Sequence, residues 1–168
     1  MVVRNLQASA FHAFHEMQAD HQVMQYTSGQ TFNEKENLRQ LEDCIARYSI
    51  AENDFWVWAV TAKSTGEFLG TCAIVPNLDR SEIGYRLLRR FFGNGYGQEI
   101  CDGLIDFAIA RLKLDEIVAL VDTRNVASVK ILDRSQLTLE GEAIDQNGQP
   151  ERFYRWRRKI LSSGDDKL

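Results

Sequence analysis

Residues 81–113 constrain this chain more than any other stretch. They read SEIGYRLL, then RRFFGNGYGQE, then ICDGLIDFAIARLK. Strand formers lead into a glycine-rich turn, and the turn leads into an amphipathic helix. Ile100, Cys101, Leu104, Ile105, Ala108, Ile109 and Leu112 recur at helical spacing, which marks one apolar face. Gly93, Gly95 and Gly97 stand just before it. Glycine tolerates positive φ and lets a ligand come close to the backbone. The unbonded N–H groups of a first helical turn, with the positive end of the dipole, form an anion site. A phosphate-bearing ligand is therefore expected, and a tight turn without a ligand is the plainer alternative. The loop lacks the Gly-Lys-Ser/Thr end of a Walker A motif. It also misses the dinucleotide fingerprint: the last glycine position holds Gln98 counting from Gly93, and Ile100 counting from Gly95.

The rest of the chain reads as a series of short elements. Val2 and Val3 suit a short first strand. Residues 9–24 have a helical pattern carried by Phe11, Phe14, Met17 and Val23. Residues 26–33 read as a loop. Asn33 suits the N-cap of a helix over 34–48, with Leu38, Leu41, Cys44 and Ile45 as its apolar positions. Residues 55–61 and 68–75 form a hairpin around the turn KSTGE, and PNLD at 76–79 turns into the strand at 81–88. Three antiparallel strands thus precede the glycine turn. Residues 116–122 form a buried-type strand, joined through the helix and so parallel to the 81–88 strand. A short helix over 125–134 follows, then strands at 138–144 and 152–160 around the turn DQNGQP. The tail from 162 is polar and reads as frayed. One domain over 1–168 is expected, with no repeat or linker.

Charge and cysteine usage exclude some functions. The net charge of −4 argues against general nucleic-acid binding and favours a cationic substrate. Arg152, Arg155, Arg157, Arg158 and Lys159 are interleaved with Phe153, Tyr154 and Trp156, a pattern that suits single-stranded nucleic acid or a sheet strand whose charges snorkel or guard an edge. The sheet strand is preferred, because the run is short in an acidic chain. No apolar run reaches the ~20 residues of a membrane span. MVVRNLQASAFHAF has no continuous apolar core of the kind a signal peptide needs. Cys44, Cys72 and Cys101 are scattered in apolar patterns and fit reduced thiols in a cytoplasmic protein. His12 and His15 make an HxxH pair that matches no established metal motif, so no metal is expected.

IGYRL followed by FFGNGYGQE resembles the acetyl-CoA motif of the GNAT acetyltransferase superfamily. Gly95 and Gly97 fill its two small positions, while Phe92 stands where the motif has Arg or Gln. An aromatic there is similar to the RimJ/RimL-type branch, which acetylates protein N-termini and other amines. DTRNVASVKILDRSQLTLEGE resembles that branch's Asn-x-x-Ser helix and following strand, with Gln136-Leu137 in place of the usual Gly-Phe. The resemblance implies an α/β (α+β) fold. Its mostly antiparallel sheet of roughly six to seven strands would be flanked by about four helices and splayed between the strands at 81–88 and 116–123.

The resemblance also implies a cofactor and a site. Acetyl-CoA would rest its pyrophosphate on N–H groups of Gly93, Asn94, Gly95, Tyr96, Gly97 and Gln98. Its pantetheine arm would lie along Arg86, Leu87 and Leu88, with an N–H near Leu87 or Leu88 meeting the thioester oxygen. Asn125 would bond the arm. Ser128 would lie near the sulfur as a proton donor, and Lys130 would approach the phosphates. Without the resemblance, Asn125 is a helix N-cap and Ser128 its N3 partner. Glu82 is the candidate base for the amine, with Glu142 and Asp122 as alternatives and a structural carboxylate as the plain reading. Met24, Tyr26 and Thr27 are candidates for contact with the acceptor. The expected activity is N-acetylation of a primary amine, a protein N-terminus or a small molecule, by direct transfer in a ternary complex. The enzyme would be a monomer or homodimer. An acyl-CoA-binding sensor without transfer activity is the alternative.

Overall fold

Strand formers in three consecutive runs build the first part of the sheet. Residues 1–145 and 147–159 are described by a computed structural model. β1 (Val2–Asn5) pairs antiparallel with β2 (Trp56–Thr61), β2 with β3 (Phe68–Asn77), and β3 with β4 (Arg80–Leu87). The β3–β4 turn is tighter than PNLD suggests. Pro76 and Asn77 stay paired with Ser81 and Arg80, which leaves Leu78 and Asp79 to turn, Leu78 at φ 56°. Leu88 N–H donates to Leu69 at 2.9 Å, and the antiparallel alternation then puts Pro76 in a non-hydrogen-bonded pair. Its missing N–H is not needed by β4.

β5 (Glu116–Asp122) follows α4 (Tyr96–Ala110) and runs parallel to β4, as the crossover requires. β6 (Thr138–Ile144) and β7 (Pro150–Arg157) finish the seven-stranded sheet in the order β1-β2-β3-β4-β5-β7-β6. The expected mixed, mostly antiparallel sheet is present. β4 and β5 share only one register pair, Glu82 with Val118, so the two strands part beyond it. The strand expected over 152–160 starts two residues earlier and ends at Arg157, and residue 160 and the tail lie outside the described residues.

Helices cover both faces. α4 and α5 (Val126–Leu132) pack on one side, where Ile100, Cys101, Leu104, Ile105 and Ala108 meet Ile83, Leu87, Ile117 and Ala119. On the other side α1 (Phe11–Ala19), α2 (His21–Met24) and α3 (Glu34–Arg47) enclose Leu6, Phe14, Met17, Met24, Leu41 and Leu88. The single helix expected over 9–24 is broken at Asp20. Its ψ is 114°, and its carboxylate caps α2 by accepting from Gln22 N–H at 2.8 Å. α3 starts at the expected cap, reinforced by a reciprocal bond from Asn33 N–H to Glu36. Leu38 is exposed rather than buried, and buried Asn37 takes the inward position. Leu112 also lies outside its helix, which stops at Ala110.

Arginines of β7 are tied down by carboxylates. Arg152 meets Glu142 at 2.7 Å, Arg155 meets Glu140 at 3.2 Å, and Arg157 meets Glu116 at 3.0 Å. β7 lies between β5 and β6 and is not an edge strand, so these charges are balanced by carboxylates on the sheet and do not guard an edge.

Candidate active site

The glycine turn sets up a row of open N–H groups. Gly93 and Gly95 sit at φ 76° and 82°, and a Cβ built on either would meet nothing within 4 Å. Gly95 is the left-handed residue that starts α4. Among the described residues, the first N–H of this helix start to find a main-chain acceptor is that of Glu99, which donates to Gly95 at 3.3 Å. The N–H groups of Gly93, Asn94, Gly95, Tyr96, Gly97 and Gln98 are thus open donors at the positive end of a 15-residue helix. Gly97 differs from the other two. Its Cβ would lie 2.7 Å from Ile131 Cδ1 and 3.2 Å from the Tyr85 hydroxyl, so it lets α4 close onto α5 and β4. Phe92 is 48% exposed at the edge of this turn.

β4 carries the next part of the site. Its N–H groups alternate, and those of Arg86 and Leu88 face β3. Leu88 N–H is consumed by Leu69 and is not free for a ligand. The N–H of Leu87 points instead toward the side where β4 and β5 have parted. Of the two main-chain donors expected near the thioester, Leu87 alone remains.

Side chains of β4 separate onto the two faces. Tyr85 lies on the α4 face and its hydroxyl is 3.3 Å from Ser128 Oγ. Burial pushes the Tyr85 pKa up, with the Ser128 bond opposing. Ser128 N–H donates to Asn125 Oδ1 at 3.2 Å, so Asn125 is the N-cap of α5. Lys130 is exposed on the same helix. Glu82, Gly84 and Arg86 lie on the opposite face. Glu82 accepts from Asn77 Nδ2 at 2.8 Å. Burial raises its carboxyl pKa above the usual range, opposed by that bond. The two alternatives to Glu82 are each paired with an arginine, Asp122 within the same cleft as Glu82. Glu142 is exposed and paired with Arg152. Asp122 is held by Arg124, whose hydrogen bonds push its pKa down.

A cleft of about 810 Å³ joins these groups. Glu82, Gly84, Tyr85, Arg86, Asn125 and Ser128 line it, together with Tyr26 and Thr27 from the loop after α2. Met24 does not reach it and is fully buried in the core. Tyr85 and Glu151 also line the cleft, and neither was expected. Glu151 is raised in pKa by burial first, then by Asp145, Glu82 and Asp122. Tyr85 left a signal, a polar-tipped aromatic between Ile83 and Leu87. Glu151 left none, because the fold of the β6–β7 turn brings it in. Cys72 and Cys101 are pushed up to about 12 by burial, which makes them poor nucleophiles.

The chain belongs to the GNAT acetyltransferase family: residues 1–138 match the family described as an acetyltransferase (GNAT) domain. It is an acetyltransferase. A Bacillus licheniformis protein described as the uncharacterized N-acetyltransferase p20 is 31% identical over 126 residues, covering 73% of this chain and 70% of the relative. Two solved structures share the fold. RimL, a ribosomal L7/L12 alpha-N-protein acetyltransferase in complex with coenzyme A, superposes with a TM-score of 0.77 at 18% identity, covering 92% of each chain. Spermidine N-acetyltransferase from Vibrio cholerae, with CoA and spermine, gives 0.78 at 15% identity, covering 93% of this chain and 94% of that one. The expected membership of the GNAT superfamily and the expected fold both hold. No helix among the described residues is long and apolar enough to cross a membrane.

Proposed function

We propose that the protein transfers an acetyl group from acetyl-CoA to a primary amine by direct transfer in a ternary complex. The observation that carries the proposal is the opening between β4 and β5, flanked by the Leu87 N–H and ended by the open donors of the glycine turn. Those donors fit a pyrophosphate, and an extended arm fits beside a strand with an unpaired edge. Acetyl-CoA, when bound, supplies an activated acetyl group as a thioester. Leu87 N–H is the donor available to the thioester oxygen. Glu82 takes the ammonium proton, directly or through water, and burial makes it a stronger base than a solvated glutamate. The Tyr85–Ser128 pair holds a proton for the departing sulfur. Asn125 fixes the start of α5 so that Ser128 keeps this position, and Lys130 adds positive charge on the same helix.

The acceptor is proposed to be an α-amine. Its pKa lies near ~8, against ~10 for a lysine-type amine, so roughly a hundredfold more is neutral near pH 7. Thiol release with matched peptides tests this, one with a free N-terminus and blocked lysine and the other reversed. Faster release with the free N-terminus is expected. Faster release with lysine contradicts the α-amine proposal, and binding of acetyl-CoA without release from any amine selects a sensor. Ser128→Ala is expected to lower turnover about tenfold or more with little loss of stability. Unchanged turnover would remove the hydroxyl from proton transfer.

A further inference from the structure

Arg86 is a largely buried cation with no carboxylate opposite it. Among the described residues its guanidinium makes one hydrogen bond, from Nη1 to Gln18 Oε1 at 3.0 Å, and no acidic side chain pairs with it. Gln18 is neutral. It is itself held by bonds from Nε2 to Asn37 Oδ1 at 3.0 Å and to Gln40 Oε1 at 3.1 Å. This amide network fixes the guanidinium without neutralising it. The remaining N–H groups of Arg86 are not sealed in the core, because the residue lines the cleft. A buried charge with no counter-charge is costly. A planar guanidinium also matches a carboxylate through two parallel hydrogen bonds.

The floor beside Arg86 leaves room for a ligand. Gly84 is the next residue on this face, and its strand partner on β3 is the small Ala73. A Cβ built on Gly84 would meet nothing within 4 Å. Glu82 closes the far end, four residues from Arg86 and roughly 13 Å away between Cα atoms at the rise of a strand. The face thus has a carboxylate at one end, a cation at the other and a shallow saddle between them.

We infer that Arg86 receives a carboxylate carried by the acceptor, so that the acceptors are amines of amino-acid size lying over Gly84 with the amine toward Glu82. The inference rests on the acetyl-transfer proposal above and names its substrate class. The reaction is unchanged: the amine nitrogen bonds the acetyl carbon, the carbon–sulfur bond breaks, and the amine proton leaves through Glu82. The acceptor carboxylate takes no part in the bond changes and only orients the amine.

The test compares amino acids with their carboxamides as acceptors. A carboxamide has the more readily freed amine, so chemistry alone favours it. At least one amino acid is expected to exceed its carboxamide by about tenfold or more in kcat/KM. That ratio is expected to fall toward one in Arg86→Met. Arg86→Lys keeps the charge without the planar fork and is expected to give an intermediate ratio, which serves if the methionine variant does not fold. Carboxamides used as well as the acids, or a ratio unchanged in both variants, overturns the inference. A second readout does not need turnover: N-acetyl amino acids, with CoA present, should raise the melting temperature of the wild type more than their amides do. If no acceptor releases thiol but the acids still stabilise, acetyl transfer falls and the anion site stands. Thiol release with indifference to the carboxylate has the opposite meaning.

Discussion

Burial keeps the Glu82 carboxyl protonated to higher pH than in a solvated glutamate, and the Asn77 bond only partly opposes this. Well below the ordinary carboxylate pKa both states hold the proton, and Glu82 adds no pH dependence. As pH rises through the raised folded value, the unfolded chain has already lost its proton and the folded state is penalised. Glu82→Gln is therefore expected to raise the melting temperature at pH 7, with the gain vanishing near pH 4. Turnover should fall by about tenfold or more in the same variant. Melting curves at both pH values with a thiol-release assay check this, and wild-type turnover in the variant would remove Glu82 as the base. That Glu82 stands on the strand leading to the glycine turn was legible in the sequence. That Glu142 and Asp122 would be taken up by arginines was not, since it depends on where Arg152 and Arg124 reach.

At the scale of elements, the glycine turn and α4 follow from local rules. Glycines supply left-handed backbone, and the helix dipole faces the same way as the open donors. Gly95→Val places a β-branched side chain at φ 82°, with a local strain of about 1–2 kcal/mol. Its side chain would also stand where a phosphate must approach. Affinity for acetyl-CoA should fall more than about tenfold in a folded variant, read by titration calorimetry. Wild-type affinity would contradict the phosphate loop. The β4–β5 crossover was likewise legible, from chain connection alone. The break at Asp20 was not, because one aspartate serves a helix surface or a cap equally well until the chain direction is known. Gly97 was read as a ligand contact, yet its tight neighbours are Ile131 and Tyr85, which only the packing of α4 on α5 reveals.

At the scale of the molecule, two helical layers leave the middle of the sheet open at one cleft. The cleft draws on the loop after α2, on strands β2–β5 and β7, on α3 and on the start of α5. Such an assembly has no single sequence signature. The glycine turn and its flanking elements were legible because one continuous stretch builds them, while the grouping of side chains from separate elements in the cleft waited for the fold. Arg86 illustrates the difference: its backbone position was expected, but its side-chain network with Gln18, Asn37 and Gln40 joins three separate elements. The central claim is that the opening between β4 and β5 receives the cofactor arm. A crystal structure with acetyl-CoA bound measures this directly. The account predicts pyrophosphate density on the N–H groups of residues 93–98 and an arm amide within hydrogen-bond distance of Leu87 N–H. Density for the cofactor elsewhere, with the β4–β5 opening left free of the arm, would contradict it.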